Sequence, residues 1–398
     1  METATATGRP RIAPAMRVEE RVTPLELFFD LVFVLAITQC TALMSEHPTW
    51  EGLAQGMLVL GVLWWAWTGY AWLTSVIDPE EGAVRIAIFA AMAGLLLVSL
   101  CVPDAFGGLG LEFAFAYGVV RAAHIALFVL ASRDEPDLRH SVAALAASTA
   151  LAVGILVAAS SLDGGAQLAL WTFALVFDMG GPFFFGTEGW KLVPGHFADR
   201  HGLILIIALG ESIVAIGVGA EAGLTWGIAA AAVLGIALAA ALWWLYFDVV
   251  ALVSARRLAH AEIGLEQNAM ARDSFSYLHF PMVAGIILGA LGLEKIIGHV
   301  EEPLKTVPAF ALLGGVAIYL LAHVAFRLRN VHTLNRQRLV LALLLFALVP
   351  LATDVAPLVV LAVVTALLCA LITYETISYG EARARVRHQL RSEPPPGS

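Results

Sequence analysis

The residues with the clearest chemical potential are carboxylates that interrupt long apolar runs. Asp30 follows two phenylalanines, and Glu211 lies between Gly210 and Ser212 in an aliphatic stretch. Asp178 precedes a Gly-Gly-Pro sequence, and Asp248 ends an aromatic run. A charge in hydrocarbon costs several kcal/mol, so an acid in such a run is expected to pair with a base or to carry a proton.

Glu26 lies four residues before Asp30, on the same face of a helix. The sequence Thr23-Pro24-Leu25-Glu26 has the pattern of a capping box with proline at the first helical position. That pattern gives Glu26 a structural role. Asp30 lies about 10 Å beyond Thr23 along the helix axis and has no such role.

Arg121 is the basic residue expected inside a span. Because a guanidinium keeps its charge, Arg121 needs an acid or water beside it. Asp30, Asp178 and Glu211 are its candidate partners, and the sequence does not choose among them.

Histidines form a third group, because imidazole can shuttle protons or bind metal. His124, His279 and His323 lie in apolar runs, and His196 and His201 precede another. For each, simple packing between helices is the alternative. No pair has the spacing that places two metal ligands on one helix face, so neither a metal nor another cofactor is expected.

The composition requires a lipid environment around these residues. The chain has 398 residues, of which 60% are hydrophobic and 14% charged, against about half and about a quarter in soluble domains. This excess excludes a soluble enzyme, a disordered chain and a single-span receptor. The net charge of −9 argues against nucleic acid as a partner.

Twelve apolar runs are each long enough for a membrane helix of roughly 20 residues. They predict an all-α, polytopic transmembrane helical bundle, with disordered cytoplasmic tails at 1–20 and 381–398. The runs cover 24–45, 52–75, 84–102, 112–131, 141–160, 167–187, 202–219, 225–252, 275–298, 307–327, 338–353 and 356–379.

Basic residues give the bundle a direction. With the N-terminus inside, inner segments hold twenty of the 23 lysines and arginines. By the positive-inside rule, both termini are predicted to be cytoplasmic. The candidates expected near the inner side suggest one hydrated pocket open to the cytoplasm; they are Asp30, His124, His196, Asp248, His279 and His323.

Short matches at a nearly constant offset indicate an internal repeat. Trp64-Trp65 resembles Trp243-Trp244, and the residues around His124 resemble those around His323. The expected halves are 21–190 and 191–380, which would be parallel because six helices is an even number. Each match is short, and chance is the alternative.

Three stretches together resemble the bacterial low temperature requirement protein A family of polytopic membrane proteins. They are Arg21–Val34, His196–Gly202 continuing to Ala208–Ser212, and Tyr277–Gly285. The resemblance covers about 21–379. It implies a multi-pass protein of the bacterial cytoplasmic membrane but no settled activity or substrate. The candidates that lie in the family's motifs are Glu26, Asp30, His196, Asp199, Arg200, His201, Glu211 and His279.

The leading functional hypothesis is a secondary transporter or proton-coupled carrier of a small solute. Asp30 and Glu211 would be its protonatable groups, and Arg121 or a histidine would provide the counter-charge. An intramembrane enzyme acting on a lipid or isoprenoid is one alternative. A structural or stress-related membrane protein needed for growth at low temperature is another. The sequence assigns neither a solute nor an oligomeric state.

Overall fold

A computed structural model describes residues 21–80, 82–184, 189–221 and 223–392, and the regular elements in this part of the chain are helical. This confirms the predicted all-α class. The helices are α1 Pro24–Glu46, α2 Trp50–Val76, α3 Gly82–Cys101, α4 Gly110–Ala131, α5 Pro136–Ala159, α6 Gly164–Phe184, α7 Pro194–Gly219, α8 Trp226–Phe247, α9 Val250–His260, α10 Leu265–Met270, α11 His279–Gly298, α12 Thr306–Val331, α13 Arg336–Leu348 and α14 Pro357–Ser392.

Each of the twelve predicted apolar runs coincides with one of the helices α1–α8 or α11–α14. Ten helical segments of the described chain are long and apolar enough to cross a membrane, which supports the polytopic bundle. The two runs outside this set are α6 and α13. Asp178 and the Gly-Gly-Pro sequence lower the hydropathy of α6, and α13 has only 13 residues. A helix of that length covers about 20 Å, less than the hydrocarbon thickness of about 30 Å.

Local sequence explains where the first helices begin. The hydroxyl of Thr23 accepts a hydrogen bond from the N–H of Glu26, and the Glu26 side chain accepts one from the N–H of Thr23, so the capping box is formed. The hydroxyls of Thr49 and Thr225 cap α2 and α8 by accepting from the N–H groups of Gly52 and Ile228, without a return bond.

Helix α7 begins at Pro194, and the prediction of its start at 202 is wrong. Proline is favoured at the first helical position because its missing N–H has no partner to lose there. The family-motif residues expected to precede the helix therefore lie within its first two turns. These residues are His196, Asp199, Arg200 and His201.

Helix α14 extends beyond the predicted last span. It continues to Ser392, with non-helical backbone angles at Tyr379. The expected tail at 381–398 is therefore helical up to Ser392. The other expected tail, 1–20, and residues 393–398 lie outside the described residues.

The helices differ in how much of their surface is buried. The apolar stretches of α2, the α10–α11 segment and α12 are 83%, 78% and 78% buried, against half or less for the other spans. Peripheral helices expose large apolar side chains outward, including Phe28, Ile86, Phe115 and Val233. Such a surface is suited to lipid rather than water.

Helices α11 and α12 cross at glycines. A Cβ on Gly285 would lie 2.6 Å from the carbonyl oxygen of Gly315, and one on Gly292 would lie 2.5 Å from the backbone nitrogen of Leu312. Small residues allow this close approach, which is a main source of helix association in lipid.

Gly292→Ala is expected to lower the free energy of unfolding by about 1–3 kcal/mol, because the added methyl meets backbone that cannot move away cheaply. Gly289→Ala is the matched control in the same helix. Its Cβ would meet nothing within 4 Å, and alanine should stabilise the helix by up to about 1 kcal/mol. Thermal unfolding of the detergent-solubilised protein measures both. Equal stability of the two variants would contradict the assigned crossing.

Candidate functional site

Four ionisable side chains of α1 and α7 form a buried network, here called the α1–α7 charge network: Glu26, Asp30, His196 and Arg200. Nη1 of Arg200 donates to Oε1 of Glu26 at 3.0 Å, and Nη2 donates to Oδ1 of Asp30 at 2.7 Å. Nε2 of His196 donates to the same Glu26 oxygen at 2.8 Å. Each of the four is at most 1% exposed. The network therefore joins α1 to α7 with no solvent to replace its contacts.

Helix α2 contributes two further contacts to this network. Arg200 donates to Oγ1 of Thr74 at 3.2 Å, and its guanidinium lies 5.6 Å from the ring centroid of Trp67. Trp67 donates its indole N–H to Oδ1 of Asp30 at 2.9 Å. Thr74 could not be identified from the sequence, and Trp67 belongs to a tryptophan cluster whose expected role is an interfacial belt or packing.

The α1–α7 charge network holds more acid than base. Within these four side chains, Glu26 and Asp30 face one guanidinium, which leaves one negative charge among the four unless one of them binds a proton. His196 and Asp30 are the two places for that proton. Oδ2 of Asp30 accepts no hydrogen bond from the described residues. Because burial favours a neutral group, this arrangement can bind one proton.

His201 and His279 lie beside the network in an aromatic cluster. Their ring centroids are 5.3 Å apart, and the ring of His201 lies 5.0 Å from that of Trp67. Nδ1 of His279 donates to the carbonyl oxygen of Ser274, which leaves Nε2 to accept from the hydroxyl of Tyr246 at 2.8 Å. Hydrogen bonding thus fixes the tautomer of His279.

Ser274 belongs to a π-helical segment, Ala271–Tyr277, between α10 and α11. The same segment binds α2, because Trp64 and Trp72 donate to the carbonyl and the hydroxyl of Ser276 at 2.7 and 3.0 Å. Helical structure therefore begins before the predicted span 275–298, at Leu265. π-Helical turns are rare and often mark functional positions.

Arg121 pairs with Asp178, which decides among its three predicted partners. The two side chains lie 3.3 Å apart, and Thr149 bridges them by accepting from Arg121 and donating to Asp178. Nη1 of Arg121 also donates to the carbonyl oxygen of Trp65. Arg121 thereby connects α4 to α2, α5 and α6. Helix α6 continues past Asp178 through Pro182, so the Gly-Gly-Pro sequence does not break it there.

Sequence reasoning missed the buried ion pair between Arg338 and Glu375. The guanidinium donates to both carboxylate oxygens at 2.9 Å. It also donates to Nδ1 of His323 at 2.7 Å. The positive-inside rule counts Arg338 as a cytoplasmic anchor because it lies at an inner helix end. The two partners are 37 residues apart on different helices, so no local pattern in the sequence indicates the pair.

Glu211 lies apart from the α1–α7 charge network. It is 4% exposed and accepts a hydrogen bond from Oγ1 of Thr38 at 2.8 Å. Further along α1, Ser45 donates to Glu294 and accepts from Lys295. Polar groups therefore continue along the face of α1 that meets α7 and α11.

The expected single pocket is divided in the structure. His124 lines a cavity among α2, α4, α5 and α6, whereas Asp248 and His323 line another among α8, α12, α13 and α14. Asp30, His196 and His279 are buried between the helices instead. Asp199 of α7 is exposed. Among the described residues, no group of three His, Cys, Asp or Glu side chains is placed to hold a metal ion.

Removing one partner of the Arg338–Glu375 pair should be costly. Glu375→Gln is expected to lower the free energy of unfolding by about 3–5 kcal/mol, because it leaves a buried guanidinium without its counter-charge. Thermal or denaturant unfolding in detergent measures the change.

The matched control is Glu135→Gln, which removes the acid of an exposed pair with Lys191 and should cost at most about 1 kcal/mol. The double variant Arg338→Met, Glu375→Leu should recover most of the loss, because no charge is left unpaired. A double variant as unstable as Glu375→Gln would contradict this account.

The model of the family described as bacterial low temperature requirement A protein matches residues 21–373. An uncharacterized protein of Rhizobium meliloti (strain 1021) is 29% identical over 310 residues, which cover 74% of each chain. No solved structure matches the chain.

Proposed function

The chain belongs to the bacterial low temperature requirement A family, as its three motifs predicted, and from this premise we propose that it is a proton-linked secondary carrier of a small solute. The observation that carries the proposal is the α1–α7 charge network, in which two carboxylates share one guanidinium. A carrier needs a group that binds a proton in one state and releases it in another. A buried network with an unbalanced charge supplies such a group.

In the proposed mechanism, protonation of Asp30 is coupled to the movement of α1 and α7 toward or away from each other. While Asp30 is protonated, one carboxylate balances Arg200 and the helices pack closely. Deprotonation adds a second negative charge to a site with little solvent, which favours a state with more water around α1 and α7. Proton binding and helix movement are then linked through one free energy, as coupling requires.

The position of the network fits a boundary between two halves. We propose that α1–α6 and α7–α14 are related six-span units, as the sequence repeat suggests. Equivalent helices pack in each: α1 on α3 and α7 on α11, α3 on α4 and α11 on α12, α4 on α5 and α12 on α13. Carriers built from repeats place their binding and coupling groups where the repeats meet.

Glu211 supplies a second acidic site on the proposed route. Thr38, its hydrogen-bond partner, lies eight residues beyond Asp30, which is about 12 Å along α1. Ser45 and Glu294 follow toward the end that the distribution of basic residues places outside. We propose that a proton or solute passes along this face of α1 between the bacterial cytoplasm and the outside, with the helix ends that carry Arg200 facing inward.

Asp30→Asn is expected to lower proton-coupled uptake by about tenfold or more while leaving the fold intact. Asparagine keeps an oxygen for the hydrogen bonds from Trp67 and Arg200 but binds no proton. Proteoliposomes with an internal pH dye, placed under a pH gradient with a panel of small organic solutes outside, report the flux. Glu211→Gln tests the second acidic site in the same assay.

The control for this experiment is Glu135→Gln, which makes the same carboxyl-to-amide change in the surface pair with Lys191. It should transport as the unmodified protein does. If both Asp30→Asn and Glu211→Gln retain the unmodified flux and pH dependence, the proposed coupling is wrong.

A further inference from the structure

A groove between α13 and α14 opens on the surface of the bundle. It has a volume of about 460 Å³, which lies within the range of about 300–1,000 Å³ found for sites that hold small organic molecules. No residue of the α1–α7 charge network lines it. Its walls combine apolar side chains with one charged residue, Arg336, and this combination indicates what the groove holds.

The polar residues of the groove lie at one end. The amide of Gln337 donates to the hydroxyl of Tyr374 at 3.5 Å, so Tyr374 of α14 lies beside the first turn of α13, where Arg336 is. Leu344 follows Arg336 by eight residues on the same face of α13, and Leu367 precedes Tyr374 by seven residues on α14. The groove therefore has a polar end and continues with apolar walls for about 12 Å.

Arg336 brings an unbalanced positive charge to the polar end. Its side chain is exposed, and none of the described residues forms a hydrogen bond or an ion pair with it. Arg338, two residues later, lies on nearly the opposite side of α13 and pairs with Glu375 inside the bundle. Because a guanidinium keeps its charge and only donates, Arg336 is suited to an anionic acceptor from outside the chain.

The apolar part of the groove is open to hydrocarbon. Val340 and Leu344 are 63% and 42% exposed, and the α14 wall belongs to the apolar span Pro357–Glu381. Ala370 is also exposed, and its small side chain leaves room between α13 and α14. Water gains little from an apolar surface, so a hydrocarbon chain is the better occupant of this part.

The order of these features along the groove matches one class of molecule. A phospholipid has a phosphate at the membrane surface and an acyl chain directly beneath it. The groove has a free guanidinium at its end and apolar walls below. A second copy of the chain would bring a protein surface to the groove, and the described residues of the groove include no acid that would pair with an arginine of that copy.

We infer that the groove binds an anionic phospholipid, with its phosphate on Arg336 and the hydroxyl of Tyr374 and an acyl chain along Val340, Leu344 and Ala370. The distribution of basic residues assigns the Arg336 end to the cytoplasmic leaflet, whose anionic lipids attract basic side chains. The inference is independent of the proposed transport, because it uses no residue of the α1–α7 charge network. A failure of the carrier proposal leaves it unaffected.

The test is native mass spectrometry of the full-length protein in detergent with dioleoyl phosphatidylglycerol or dioleoyl phosphatidylcholine. These lipids have the same acyl chains, but only the first has a net negative charge. Phosphatidylglycerol should bind at least about fivefold more tightly, which is the contribution of one basic residue near an anionic headgroup. It should also raise the unfolding temperature more than phosphatidylcholine does.

Two variants assign the lipid to the groove. Arg336→Gln keeps a polar side chain but removes the charge, so the preference for phosphatidylglycerol should disappear while phosphatidylcholine binds as before. Ala370→Phe fills the apolar part with a ring, so the affinity for both lipids should fall by about fivefold or more. Both residues are exposed, so neither variant disturbs the packing of the bundle.

The matched controls are Arg133→Gln and Ala90→Phe, which make the same changes at exposed positions of α3 and of the loop after α4. Both should bind the two lipids as the unmodified protein does. Equal affinity for the two lipids, or an unchanged preference in Arg336→Gln, would overturn the inference. So would displacement of the lipid by inorganic phosphate, which has no chain to fill the groove, or a dimer that retains no lipid, since a second copy would then cover the groove.

Discussion

Hydrocarbon does not solvate charge, so each ionisable side chain inside this bundle depends on another helix. Three arginines satisfy that requirement and thereby fix which helices are neighbours. Arg200 of α7 holds α1 through two carboxylates and α2 through Thr74. Arg121 of α4 holds α2, α5 and α6, and Arg338 of α13 holds α8, α12 and α14. Apolar packing and glycine crossings bring helices close together, but contacts of this kind also fit many other arrangements. The buried guanidiniums select one arrangement, because each has its partners at only one set of positions.

The arginines also bear on the proposed duplication. Arg121 of α4 contacts α2, α5 and α6, and Arg338 of α13 contacts α8, α12 and α14. In the order of the twelve spans, Arg121 on the fourth contacts the second, fifth and sixth. Arg338 on the eleventh contacts the eighth, tenth and twelfth. If the halves are equivalent, the two sets join corresponding helices, although the arginine itself lies on the fourth helix of one half and the fifth of the other. The matching acids, Asp178 and Glu375, and the matching histidines, His124 and His323, keep their helices. A base that moves to a neighbouring helix while its acid stays in place preserves the ion pair.

The helices could be predicted from the sequence because hydropathy depends on composition along one segment. The family could be predicted because its motifs are local. Partners could not, since an ion pair depends on which helices face each other, and Arg121 had three acceptable acids. The positive-inside rule assigns Arg200 and Arg338 to the inner side, because it counts every arginine near a helix end as a solvent-exposed anchor. Whether such an arginine turns outward or inward depends on an acid in another helix, as Glu26 and Glu375 show.

Burial alone does not distinguish a charge that holds the fold from one that acts. Arg338 and Glu375 are buried, but one base faces one acid through two parallel hydrogen bonds, so adding or removing a proton would only break the pair. Arg200 is equally buried yet faces two acids and a histidine, so two carboxylates share one guanidinium. The ratio of acids to bases around each arginine is the property on which the proposed distinction between the two roles rests. By the same criterion, Arg121 belongs with Arg338, because one acid, Asp178, balances its charge and Thr149 bridges the pair.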